Sequence, residues 1–137
     1  MWKLWALLSA IFAALAAIFG KIGVDGVSSN LATAIRTAVI LVLTWGIVIG
    51  SGGISQLVSV ETKTWVSLVL SGVATGLSWL FYYKALQLGE ASKVAPIDKL
   101  SVVFVILFGI VFLHETADAK VLLGGALILA GSLVMLL

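Results

Sequence analysis

Apolar residues run almost unbroken along this chain, in stretches of about twenty positions separated by short polar breaks. The stretches cover residues 4–22, 31–49, 64–86, 94–113 and 120–137, and the breaks cover 23–30, 51–63, 87–93 and 114–119. A helix needs about 20 mainly apolar residues to cross the hydrocarbon core of a bilayer, so each stretch predicts one crossing. A transmembrane barrel would instead show runs of about 10 residues alternating in polarity, and these runs are longer and continuously apolar. Pro96, the only proline, falls in the first turn of the fourth stretch, where a missing N–H costs little. The expected fold is therefore an all-α, multi-pass bundle of five transmembrane helices in a single domain spanning residues 1–137. Lys3 ahead of an apolar run resembles a secretory leader, but residues 4–19 are long for a leader core, and the rest of the chain is equally apolar.

The polar residues inside the stretches fall on faces. At about 100° per residue, Ser71, Thr75, Ser78 and Tyr82 of the third stretch make one stripe. Gly72, Gly76, Trp79 and Tyr83 make its neighbour, and Leu70, Val73, Leu77 and Leu80 lie opposite. Lipid cannot hydrogen-bond a hydroxyl, so the first two stripes are expected to meet protein or a water-filled cavity. Two readings stay open: close helix packing through Gly72 and Gly76, or a solute path lined by Thr75, Ser78, Trp79, Tyr82 and Tyr83. Lys84 falls on the lipid line and reads as a snorkelling anchor.

In the second stretch Arg36 shares a face with Thr33, Thr37 and Thr44; in the fourth, Asp98 shares one with Ser101, Val105 and Gly109, with Lys99 at its flank. Arg36 and Asp98 both enter from the same side and lie about 8 Å deep at the helical rise. Charges at that depth pair or line a pathway, so Arg36 and Asp98 are expected to face each other, with Lys99 and Lys21 as further polar candidates near the same end. In the fifth stretch Gly124 and Gly131, with Leu127 and Ile128 between them, form a groove that suits close packing against a second copy.

Composition narrows the classes. Hydrophobic residues make up 62% of the chain and charged residues 10%, too few charges to coat a soluble domain. The net charge of +2 is spread thinly, so nucleic-acid binding has no electrostatic footprint. There is no cysteine, and the adjacent His114 and Glu115 fall short of the converging ligands a metal needs. No catalytic set and no cofactor motif is visible, so no catalytic residue, metal or cofactor is assigned and no enzyme activity is expected. Lys and Arg counted by loops tie between the two membrane sides, and only the deeper Arg36 and Lys99 tip the count toward one of them, so orientation is weakly specified.

These residues together resemble the EamA-type branch of the drug/metabolite transporter superfamily. The likeness lies in Phe19-Gly20-Lys21, in Asn30-Leu-Ala-Thr-Ala-Ile-Arg36, in Trp79-Leu-Phe-Tyr-Tyr-Lys-Ala85-Leu86 and in Ala95-Pro-Ile-Asp-Lys-Leu-Ser101. Its most typical part is Leu113-His-Glu115 followed by Gly124-Gly-Ala-Leu-Ile-Leu-Ala-Gly131. The resemblance implies a carrier of metabolites or drugs in the cytoplasmic (inner) membrane, working by alternating access. Most members resemble two such five-helix repeats fused in inverted orientation, and this chain holds one. It is similar in plan to the small multidrug resistance carriers, but their acidic residue in the first helix has no counterpart between Leu4 and Gly20, which leaves Asp98 as the carboxylate for any proton coupling.

The expected assembly is an antiparallel homodimer in the bilayer, each copy supplying one inverted repeat, with a small-molecule solute held between them. Arg36, Asp98 and Lys99 would gate each end. A non-transporting scaffold or subunit, and a flippase for lipid-linked substrates, are compatible with the same pattern, and amino acids, amphipathic cations and nucleobases all suit such a cavity.

Overall fold

The computed structural model describes residues 1–137 and is helical throughout. The helices are α1 (Trp2–Gly23), α2 (Ser29–Gly50), α3 (Thr62–Leu88), α4 (Ala91–Asp98), α5 (Ser101–Phe112) and α6 (Ala119–Val134), with a 3₁₀ helix at Gly53–Ser59. Four helical stretches are long and apolar enough to cross a membrane: α1, α2, α3, and α4 with α5 taken together as Ala91–Phe112. The protein is thus an all-α, multi-pass membrane protein.

Two expectations are corrected. The fifth stretch forms a helix of only 16 residues, about 24 Å long against a hydrocarbon core of about 30 Å. Asp118 starts it, its carboxylate accepting the Val121 N–H at 2.8 Å, which fixes the first helical residue at Ala119. The fourth stretch is not one unbroken rod. Its helix begins at Ala91, so Pro96 lies in the interior rather than in the first turn. Proline there removes the donor for the Ser92 carbonyl and crowds it. The backbone tightens just beyond: Lys99 N–H bonds the Pro96 carbonyl at 3.1 Å and Leu100 N–H the Ile97 carbonyl at 2.9 Å, three residues back instead of four. α4 ends at Asp98 and α5 starts at Ser101.

The chain forms two compact units, Phe19–Gln87 and Met1–Ile18 with Leu88–Leu137. In Phe19–Gln87 the buried residues Val24, Ser29, Thr33, Tyr83 and Leu86 gather where α1 runs out, α2 begins and α3 ends. Ser28 caps α2, its hydroxyl accepting the Leu31 N–H at 3.3 Å. Glycine at position 52, with φ +73°, turns the chain out of α2 into the 3₁₀ helix, which packs back on the end of α2. In the other unit α6 lies against α4 and α5. There Ile106 Cδ1 would stand 2.8 Å from a Cβ on Gly125, so the missing side chain gives Ile106 its place between α5 and α6.

Candidate functional site

Arg36 organises the polar interior of the Phe19–Gln87 unit. About two turns into α2, its guanidinium carbon lies 4.2 Å from the centroid of the Trp79 ring and 5.3 Å from that of Tyr83. Two candidates from one stripe of α3 and one from α2 are therefore brought together, as a cation against two aromatic faces. Tyr82 meets Tyr83 edge to face with centroids 6.3 Å apart. The pairing expected of Arg36 with Asp98 joins residues of different units and is described by neither alone. Within Leu88–Leu137, Asp98 is the last residue of α4 and its carboxylate is 3.5 Å from Lys99 Nζ.

Lys21 ties the last turn of α1 to the end of α3. Its ammonium donates to the Leu86 carbonyl at 2.6 Å, placing a cation at the carbonyl end of α3, where the helix dipole favours it. Gln87 Nε2 donates to the Val27 carbonyl at 2.8 Å, and Lys84 Nζ donates to Gln87 Oε1 at 3.3 Å. A cavity of about 550 Å³ opens beside them, lined by Lys21, Ile22, Val24, Asp25, Gly26 and Gln87. Gly20 makes the neighbouring contact possible, since a Cβ there would come within 3.0 Å of the Tyr83 hydroxyl oxygen and 3.4 Å of Leu86 Cδ1. Nothing in the hydropathy pattern marks Gln87 or Gly20, because their roles come from residues more than fifty positions away.

The hydroxyls of the spans are satisfied close to home. Thr33 donates to the Ser29 carbonyl, Thr37 to that of Thr33, Thr44 to that of Ile40 and Thr75 to that of Ser71, each at 2.8 Å. A threonine on a lipid-facing helix thus finds its acceptor one turn back, and its presence does not require a cavity. Thr75 and Ser78 are exposed, as are Leu70, Val73, Leu77 and Leu80 on the far side of α3. A Cβ on Gly72 or Gly76 would touch nothing within 4 Å, so neither glycine mediates a close helix contact within the chain.

On α6 the packed stripe lies one position from the expected seam. Gly125 and Ser132 are the buried pair, and the Ser132 hydroxyl donates to the Pro96 carbonyl at 2.9 Å. Gly124 and Gly131 would have nothing within 4 Å of an added Cβ, and Leu127 and Ile128 are exposed. After α5, His114 takes φ 54° and the Glu115 N–H bonds the Gly109 carbonyl at 3.1 Å, while a Cβ on Gly109 would come within 2.8 Å of Glu115 Oε2. The Leu113-His-Glu115 sequence is thus a helix stop folded back on α5.

The sequence pattern of the EamA-like transporter family matches residues 1–137. A Sinorhizobium protein described as an uncharacterized transporter in the cobO 3′ region is 50% identical over 134 residues, covering 98% of this chain and 95% of its own length. No solved structure matches the chain.

Proposed function

Because the chain belongs to the EamA-like transporter family, we propose that it moves a small solute across the cytoplasmic membrane by alternating access, as an antiparallel homodimer. Its assignment as a membrane transporter comes from the family, matched along the whole chain, and the similar Sinorhizobium protein is itself described as a transporter. The observation that carries the dimer is on α6. Its Gly125 and Ser132 face is packed within the chain, whereas the face of Gly124, Leu127, Ile128 and Gly131 is bare. Small residues on a bare apolar helix face let a second backbone approach closely, which is the main source of helix association where lipid is as apolar as leucine.

In this reading Trp79, Tyr82 and Tyr83, with Thr75 and Ser78, line the solute path. Arg36, Asp98, Lys99 and Lys21 form the polar gate and coupling groups near one membrane face. An inverted second copy supplies the equivalent set at the other face, and opening one while the other stays closed is a two-state equilibrium that solute biases. Purified protein in proteoliposomes is the test: solute flux that saturates with concentration, lost when cysteines at positions 127 and 131 of two copies are cross-linked. A monomer that transports, or a dimer that forms without the α6 face, would sink the assembly.

A further inference from the structure

The face of an aromatic ring is where an organic cation binds, and in this chain a protein cation already sits there. The Arg36 guanidinium lies over Trp79 and Tyr83, at 4.2 and 5.3 Å from the ring centroids. An ammonium or phosphonium solute seeking those faces would have to displace Arg36 and would meet its like charge. The rings attract the guanidinium, but they are neutral and leave its charge uncancelled. A guanidinium carries its N–H donors in its own plane, in a fork that fits two oxygens of one oxyanion. Asp25 and Glu61, the carboxylates of this unit, form no ion pair with it. Arg36 is half-buried on the inner stretch of α2, a depth at which a cation needs an anionic partner and at which water screens the pair poorly.

We propose that Arg36, besides its place in the gate, is the anchoring subsite for the solute when that gate is open and takes an oxyanion, so that the solute is a small organic carboxylate and not an organic cation. The rings of Trp79 and Tyr83 hold the guanidinium in place from one side, which makes them positioning residues for the anion. The identity of the solute as cargo rests on the transport reading above; the anion subsite does not. An oxyanion could also be carried by the headgroup of an anionic phospholipid, and the experiment separates the two.

Thermal unfolding of the purified protein in a neutral detergent is followed with acetate, benzoate or succinate, with benzamide as the uncharged match, with tetraphenylphosphonium, and with dioleoylphosphatidylglycerol. At least one carboxylate is expected to raise the midpoint in a saturable manner, with no shift from benzamide or tetraphenylphosphonium. Arg36→Lys, which keeps the charge and loses the fork, should weaken that carboxylate at least about tenfold. Arg36→Gln should abolish the effect while circular dichroism confirms the helices. Trp79→Leu should weaken the carboxylate, and Trp79→Phe should restore most of it. No saturable carboxylate shift, or an equal one from benzamide, overturns the proposal. So does tetraphenylphosphonium binding that needs Trp79 and ignores Arg36. A shift given by the phospholipid alone and lost in Arg36→Gln assigns the subsite to a lipid headgroup and overturns the solute assignment. Carboxylate binding without flux in proteoliposomes would defeat the transport reading and leave the subsite standing, whereas Arg36-independent flux of a cation would do the reverse.

Discussion

Gly20 and Tyr83 form a lock that can be tested atom by atom. With a Cβ at position 20, the nearest atom is the Tyr83 hydroxyl oxygen at 3.0 Å, followed by ring carbon Cζ at 3.3 Å. Overpacking of this kind costs typically about 1–3 kcal/mol, so Gly20→Ala should lower the unfolding midpoint in detergent. Tyr83→Phe removes the closest atom, and a double-mutant cycle should return part of the loss; strict additivity would mean that the two residues do not press on each other. Lys21→Met keeps the apolar stem and removes the bond to the Leu86 carbonyl. A charge-assisted hydrogen bond of this sort contributes on the order of 1.5–3 kcal/mol, and its loss should fray the last turn of α3, read as faster hydrogen exchange there.

Within the helix of residues 119–134, two adjacent glycines are predicted to behave oppositely. A Cβ on Gly125 would come within 2.8 Å of Ile106 Cδ1, so that the Ile106 side chain must shift, whereas Gly124 faces nothing within 4 Å. Gly125→Leu should therefore overpack the α5 and α6 pair and lower monomer stability by about 1–3 kcal/mol. Gly124→Leu should leave monomer stability within about 0.5 kcal/mol, as for a surface site, and weaken only the dimer, measured by the concentration dependence of cross-linking. Equal effects at both positions would refute the assignment of faces. Beside them, the Ser132 hydroxyl donates to the carbonyl of Pro96, in the last turn of α4 before the junction with α5. Ser132→Ala should cost about 1 kcal/mol, the usual net worth of one hydrogen bond. Because the bond sits at the break, the substitution should also loosen the junction at Lys99 and Leu100.

For the whole protein, the near tie of loop cations leaves little to impose one insertion direction. Accessibility labelling of cysteines placed at the two ends of the chain in intact cells should find each end on both faces of the membrane. One fixed orientation would mean that another chain supplies the inverted half. If Asp98 couples solute movement to protons, Asp98→Asn should abolish pH-gradient-driven flux in proteoliposomes while leaving solute exchange intact; loss of both would reduce Asp98 to a structural charge.

Membrane residence, helicity and the bounds of three spans come from the chain's own pattern, because in lipid every backbone group must bond within its own helix and only long apolar runs do so cheaply. α1, α2 and α3 accordingly lie within about two residues of the runs 4–22, 31–49 and 64–86. The facing of α3 was legible in part: Trp79 and Tyr83 do sit on the side that meets Arg36. Contacts decided the rest. Hydropathy counts a hydroxyl as polar without knowing that Thr75 bonds Ser71 one turn back, and it cannot choose between Gly124 and Gly125, which differ only by which one meets Ile106. It scores the run 94–113 as continuous, while the backbone tightens to bonds three residues back at Lys99 and Leu100, beyond Pro96. Periodicity constrains which residues share a face; which face is covered, and by what, depends on side chains distant in sequence, and so Arg36 came to rest on aromatic rings that no spacing within α2 could have indicated.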